Sequence, residues 1–253
     1  NTISLQSIFI AIRARHWFLK RPSLTEEYMM IQRILVFSIL FITLIANSQT
    51  DKEYSIDQLT SNFIKDLQSK KIDTICIYEN YCVGCERTYD ASKIYDEETC
   101  TDELKYEPAY VFWKEKGTTF LTKINTCFEY RGSIVSKNNF WDIYFSNKNL
   151  IQKEIIKPFE YKISSNKNKQ TSTLRASHSR YQVFKMINKN NAVIKVFDHF
   201  KLKKTNDNFS NETLYNINYE HNINLKSKLI IDILERITSE AEKNNIFKKI
   251  KSR

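Results

Sequence analysis

Residues 109–128 read AYVFWKEKGTTFLTKINTCF, a pattern typical of a β-hairpin. Two runs rich in aromatic and β-branched residues, Ala109–Glu115 and Thr118–Phe128, are separated by the dipeptide Lys116-Gly117. Glycine readily adopts the positive φ that a tight turn needs, so this dipeptide marks the turn. The stretch therefore predicts two neighbouring antiparallel strands, and a fold built around an antiparallel sheet.

Short apolar runs on both sides of the hairpin predict further strands. The candidates are Ile72–Tyr78, Phe140–Phe145, Glu154–Ile163, Tyr181–Ile187, Ala192–Phe200 and Leu214–His221. Pro158 favours an edge position for the run that contains it, because proline cannot donate to a sheet ladder. We expect residues 188–191 to form the turn that separates two of these strands.

Two amphipathic helices are predicted near the ends of this region. The first covers about residues 55–70, where Ser55 and Gln58 form a capping box. The second covers about residues 225–251, with Asn224 as its N-cap and lysines clustered at its C-terminal end. The expected fold class is therefore α+β: a mostly antiparallel sheet with one helix at each end of the chain.

Residues 30–49, MIQRILVFSILFITLIANSQ, have the three-part pattern of a secretory signal peptide. One cation, Arg33, precedes an apolar run that is shorter than the roughly 20 residues of a membrane span, and small residues follow it. We therefore predict a signal peptide over 30–48, an upstream extension over 1–29 outside the mature protein, and a single α+β domain over 49–253. Periplasmic or secreted localisation is expected, with no membrane span after cleavage; an uncleaved signal anchor is the alternative.

Charge is divided unevenly along the mature chain. Residues 50–127 hold 10 basic and 15 acidic side chains, whereas residues 128–210 hold 16 basic and 6 acidic ones. The acidic part includes a cysteine-bearing loop over 79–107, and the basic part includes the segment 161–204. A formal net charge of +10 for the whole chain therefore does not describe one uniformly basic surface.

The chain has five cysteines, all in the acidic part: Cys76, Cys82, Cys85, Cys100 and Cys127. After export they would meet an oxidising compartment, so all five are disulfide candidates, with at most two bridges and one thiol left over. Cys82-Val83-Gly84-Cys85 also permits a thioredoxin-like redox pair, and the cysteines together permit a zinc site. A c-type haem site is excluded because Glu86, not histidine, follows Cys85.

Basic and aromatic residues alternate through the basic segment, a pattern found on surfaces that bind polyanions. The candidate residues for this role are Lys162, Lys167, Lys169, Arg175, Arg180 and Lys185. For an exported protein, the expected partner is an anionic envelope component or an unknown protein, and nucleic acid is disfavoured.

Only three glycines occur, Gly84, Gly117 and Gly132, each far from the next. This excludes G-x-G-x-x-G, the Walker loop and the G-x-S-x-G elbow. His178, His199 and His221 show no metal-ligand spacing, so we predict no catalytic residues, no metal and no cofactor. Carboxylates between residues 79 and 107 leave a calcium site or an acid-dependent hydrolase as alternatives.

The segment ending Ala46-Asn47-Ser48-Gln49 and the stretches Cys76–Cys85 and Tyr110–Cys127 resemble small, uncharacterised exported proteins of Bacteroidota. This resemblance implies a periplasmic or extracellular location and no particular activity. The sequence thus favours a non-enzymatic, disulfide-stapled binding or structural protein of the cell envelope. An envelope enzyme, either a Cys-x-x-Cys redox protein or an acid-dependent hydrolase, and a polyanion-binding module are the alternatives.

Overall fold

A computed structural model of the protein describes residues 55–85, 107–163, 170–189, 191–207 and 213–252. They belong to one compact unit, Tyr54–Arg253. The predicted extension and signal peptide, most of the cysteine-bearing loop, and the candidates Cys100, Lys167 and Lys169 lie outside the described residues.

The elements are named here in chain order. The helices are α1 Ile56–Ser69, α2 Phe140–Lys153, α3 Tyr219–Ile223 and α4 Lys226–Lys243, with a 3₁₀ turn at His199–Leu202. The strands are β1 Thr74–Val83, β2 Ala109–Glu115, β3 Thr118–Ile124, β4 Phe128–Tyr130, β5 Ser133–Val135, β6 Phe159–Lys162, β7 Thr171–Leu174, β8 Ser179–Asn188, β9 Asn191–Asp198, β10 Thr205–Asn206, β11 Leu214–Tyr215 and β12 Lys249–Ser252.

Eight of the strands form one large antiparallel sheet, which confirms the predicted α+β class. Its order is β12-β4-β3-β2-β1-β8-β9, and β5 pairs with β3 beside this path. Strands β6 and β7 form a separate pair, as do β10 and β11. β1 lies near the middle of the sheet, between β2 and β8.

The hairpin of β2 and β3 follows the sequence prediction closely. Glu115 lies opposite Thr118, and the two turn residues Lys116 and Gly117 have φ values of 48° and 83°. Positive φ at both central positions is the geometry that matches the twist of the flanking strands. Likewise, α1 begins after Ser55, whose side chain accepts a hydrogen bond from the Gln58 backbone N–H.

Several predictions of local structure are wrong, including Asn224 as the N-cap of α4, which is Leu225, and the strand Glu154–Ile163, of which only Phe159–Lys162 is a strand. Phe140–Phe145 is not a strand but the first part of α2, because Phe140, Trp141 and Tyr144 share the helix face that is buried against the sheet. Only Leu214–Tyr215 of the predicted strand 214–221 is a strand, and α3 follows it. The C-terminal helix ends at Lys243 rather than near residue 251, and the chain then returns to the sheet as β12.

The helices cover opposite faces of the sheet and create two hydrophobic clusters. α2 and α4 pack on one face, over Cys76, Tyr78 and Phe112. α1 packs on the other face, over Ile75, Ile77 and Val111. Alternate residues of β1 therefore belong to different clusters, as the period of two in a strand requires. Among the described residues, no helix has both the length and the apolar character needed to cross a membrane.

Candidate functional site

A polar pocket of about 360 Å³ lies between α4 and the part of the sheet where β1 ends and β2 begins. It interrupts the side of the sheet that α2 and α4 otherwise cover with apolar contacts. Its lining residues are Tyr78, Asn80, Glu107, Pro108, Tyr110, Glu235, Thr238, Ser239 and Glu242.

The sequence places these side chains through two simple periodicities. Tyr78 and Asn80 are two residues apart on β1 and share one face, and Tyr110 lies directly opposite Tyr78 on β2. Glu235 and Glu242 are seven residues apart on α4 and so lie on one helix face. The pocket therefore forms where the polar side of α4 meets the end of an otherwise buried strand face.

Hydrogen bonds hold the two tyrosine hydroxyls in place. The Tyr110 hydroxyl donates to Glu242 Oε1 at 2.7 Å, and Lys123 Nζ lies 3.1 Å from the same oxygen. Gln182 Nε2 donates to the Tyr78 hydroxyl oxygen at 3.0 Å. Because Gln182 is itself buried, this bond fixes Tyr78 from beneath the pocket.

The pocket has more hydrogen-bond acceptors than donors. Asn80 Oδ1 is buried and has no hydrogen-bond partner in the described residues. Of the three lining carboxylates, Glu242 pairs with Lys123, and Glu107 lies 3.8 Å from Arg180. Glu235 lines the pocket and makes no ion pair within the described residues.

Burial keeps the remaining ionisable groups neutral. It raises the pKa of Tyr78 and of Tyr110, and the Glu242 carboxylate raises the pKa of Tyr110 further, so both hydroxyls stay protonated. Burial also lowers the pKa of His199, although the nearby Glu235 opposes that shift. His199 Nε2 is buried without a hydrogen-bond partner in the described residues. The site thus combines neutral tyrosine hydroxyls with three carboxyl groups.

A disulfide links the end of the strand that carries Tyr78 and Asn80 to the turn that follows it. Cys82, on the same face of β1, is bonded to Cys85 across a turn in which Gly84 has a φ of 74°. The positive φ at Gly84 favours glycine there, and a Cβ would also require the exposed ring of His178 to move. Two of the disulfide candidates, Cys82 and Cys85, are thus paired with each other.

The other cysteines differ from one another. Cys127 is also disulfide-bonded. Cys76, one of the disulfide candidates, is instead a free thiol, because β1 directs it into the hydrophobic cluster beneath α2 and α4, where burial raises its pKa. Within the described residues no group of three or more histidine, cysteine or acidic side chains is arranged to hold a metal ion.

The structure does not gather the described polyanion-binding candidates into one patch. Lys162 lies on β6 of the two-stranded β6–β7 sheet, and Arg175 follows β7. Arg180 and Lys185 are both on β8, but an odd separation in sequence places them on opposite faces of the sheet. Arg180 is also the partner of Glu107 at the pocket.

Sequence reasoning did not find the pocket, although one signal for it was present. A polar row lies beside the apolar face of the strongly amphipathic helix α4; its members are Glu235, Thr238, Ser239 and Glu242. Nothing local shows that this row meets Tyr78, because the two segments are more than a hundred residues apart. No protein-family model, curated protein or solved structure matches the chain.

Proposed function

We propose that the protein is an exported, disulfide-stapled binding protein of the cell envelope, whose pocket between α4 and β1 accepts a cationic group. The observation that supports this best is the surplus of acceptors: Glu235 without an ion pair in the described residues, beside Asn80 Oδ1, which is buried without a partner. An ammonium or guanidinium group offers only donors and therefore complements this lining.

The size and burial of the pocket suit such a group. A volume of about 360 Å³ is at the lower end of the usual range for ligand pockets, which fits a side chain or a small amine rather than an extended polymer. The half-buried carboxylates lie where charges interact more strongly than in bulk water. The partly exposed ring of Tyr110, tilted against the buried ring of Tyr78 with centroids 6.3 Å apart, adds aromatic surface that favours a cation.

The frame of the pocket is set before any ligand arrives. The Cys82–Cys85 disulfide fixes the end of β1, and the ladder with β8 continues without interruption from Thr74 to Val83. On the opposite wall, the first turn of α4 is held by the carboxylate of Glu154. A rigid site lowers the entropy lost on binding, which favours a role in recognition.

Calorimetry with small probes tests this proposal. Lysine amide and arginine amide should bind, whereas norleucine amide, which has a similar length and lacks the side-chain charge, should bind more weakly. Glu235→Gln keeps the shape but removes the charge, and should weaken binding by about tenfold or more, since a hydrogen bond to a charged group contributes roughly 1.5–3 kcal/mol.

Glu240→Gln is the matched control, because Glu240 lies on the same helix but pairs with the exposed Lys137 outside the pocket. It should bind the probes as the wild type does. Equal binding of the cationic and neutral amides, or unchanged binding by Glu235→Gln, contradicts the proposal. Export is tested separately by fusing residues 1–49 to a reporter that is active only outside the cytoplasm.

A thiol-disulfide oxidoreductase is a second candidate function, favoured by the exposure of Cys85 in the Cys82–Cys85 bridge. In this reaction a partner dithiol would be oxidised to a disulfide while the bridge takes up two electrons and two protons. Cys82 lies on a strand rather than at the helix N-terminus that usually activates such thiols. If catalysed oxidation of a peptide dithiol disappears in Cys85→Ser, this candidate gains support; if no oxidation is measured with the wild type, it fails.

A further inference from the structure

The outer edge of β9 carries an unpaired row of backbone groups. On its inner side β9 pairs with β8 over its whole length, from Asn191 to Asp198. On its outer side, no backbone hydrogen bond joins β9 to any other part of the described chain. Such an edge is a template for pairing with another strand.

The opposite edge of the same sheet, formed by β12, has features that discourage pairing with another chain. β12 has only four residues, carries Lys249 and Lys251, and has a register irregularity against β4 between these two lysines. Short length, lysines and irregular register all discourage pairing with another chain. The protein thus protects one edge of its sheet.

β9 lacks these protections. It has eight residues, contains no proline, and keeps a regular register throughout. Its one lysine, Lys195, is 7% exposed, and its ammonium donates to the backbone oxygen of Glu154 at 2.6 Å. An inward-pointing charge discourages strand pairing when the pairing would bury that charge without a partner. Lys195 does not have this effect, because it is already buried and its ammonium is already bonded to the Glu154 oxygen.

The exposed face of β9 is apolar. Ile194 and Val196 are 54% and 45% exposed, and both lie on the face of the sheet that carries α1. One helix is about 10 Å wide and strands are about 4.8 Å apart, so α1 covers roughly two strands. The result is a groove of about 530 Å³ between α1 and β8–β9.

Charges are unevenly distributed along this groove. Asp57 and Glu79 interact with each other at one end, where Lys185 also interacts with Glu79. Lys65 and Lys189 lie toward the other end, where the Lys189 backbone N–H donates to Asp73 O just after α1. A two-fold axis perpendicular to the sheet reverses the strand direction, so it turns the acidic end of one copy toward the basic end of the other.

From these observations we propose that β9 pairs antiparallel with β9 of a second copy of this chain, forming a two-fold symmetric dimer with one continuous sheet. The pairing satisfies the free edge of β9 and places Ile194 and Val196 beside the same residues of the other copy. An isologous contact of this kind closes on itself and does not extend into a fibre. A second copy fits this edge because a two-fold mate presents the same apolar pair and turns its basic end toward the acidic end of the first copy.

Light scattering after size exclusion gives the first test, with the protein lacking residues 1–48 studied over a wide range of concentration. The wild type should reach twice the monomer mass, whereas Ile194→Lys should stay monomeric, because the two-fold axis brings each new charge close to its own symmetry mate. Ile134→Lys is the matched control: Ile134 is 68% exposed but lies on β5, which pairs with β3 far from β9 in the sheet, so this variant should dimerise normally.

A charge-swap experiment tests the symmetry itself. Ile194→Lys and Ile194→Asp should each be monomeric alone and should form a heterodimer when mixed. Hydrogen exchange provides the backbone readout: amides on the outer edge of β9 should be protected in the wild-type dimer and exchange faster in Ile194→Lys. A wild-type monomer at every concentration, a dimer unaffected by Ile194→Lys, or protection confined to β12 would each overturn the proposal.

Discussion

Replacing Glu154 should destabilise α4, the helix that carries two of the three glutamates of the pocket. Glu154 ends α2, and its carboxylate reaches the first turn of α4. Oε1 accepts from the Lys226 backbone N–H at 2.7 Å, and Oε2 accepts from the Ser227 backbone N–H at 2.9 Å and from the Ser227 hydroxyl at 2.5 Å. The side chain of Glu154, which is distant in sequence, thus caps the N-terminus of α4.

The size of the effect follows from the two contributions of this carboxylate. Loss of an N-cap costs about 0.5–2 kcal/mol, and loss of a negative charge at a helix N-terminus costs about 0.3–1 kcal/mol. Glu154→Ala should therefore lower the free energy of unfolding by about 1–3 kcal/mol. Glu154→Gln removes the charge but leaves one acceptor, so we expect roughly half of that loss.

Urea unfolding of the protein measures this effect. The midpoint should fall in the order wild type, Glu154→Gln, Glu154→Ala, with an unchanged dependence on denaturant, since the surface exposed on unfolding stays the same. Glu240→Ala is the control, because its exposed pair with Lys137 should contribute less than about 1 kcal/mol. If Glu154→Ala is no more destabilising than Glu240→Ala, the reasoning about this cap is refuted.

Three further predictions concern single residues. The Cys76 thiol should resist alkylation in the native protein and react only after unfolding, as read by mass spectrometry, because it is fully buried. Gly117→Ala should lower the free energy of unfolding by about 1–2 kcal/mol through backbone strain alone, since its φ is 83° and no atom lies within 4 Å of an added Cβ. Burial holds the pKa of His199 below its ordinary 6.5 in the folded state, so the unfolded chain gains the proton first. Stability should thus be complete above pH 6.5 and fall as the pH drops below it, and His199→Gln should flatten that part of the profile.

The elements that sequence predicted well are those with local causes. The hairpin at Lys116-Gly117 needs only a turn with positive φ between two strand-forming runs, and both signals lie within a few residues. The start of α1 is set by Ser55, whose capping partner is three residues away. Long-range packing was not needed to place either element.

The errors arose where distant parts of the chain decide local structure. The aromatic run at Phe140 has the composition of a strand, but it forms a helix because Phe140 and Trp141 are buried over Phe112 and Thr119 on the sheet. Asparagine is a residue type that favours the N-cap position, which is why Asn224 was predicted there. The first turn of α4 is instead capped by the side chain of Glu154, 72 residues from Lys226. The pocket likewise depends on β1, β2 and α4 meeting, which no short segment can show.

The two proposed binding surfaces are separated by β1 and its neighbour β8. On β1, Tyr78 and Asn80 face the pocket beneath α4, while Glu79, between them, faces the groove beside α1. A sheet paired through β9 buries the edge of the groove and leaves the pocket on the opposite face. Dimerisation and cation binding should therefore be energetically independent: Ile194→Lys should bind lysine amide as tightly as the wild type, and Glu235→Gln should dimerise normally. If either variant lost both dimerisation and cation binding, the sheet would have to transmit a change from one face to the other. That result would contradict the rigid β1 described above, whose end is fixed by a disulfide.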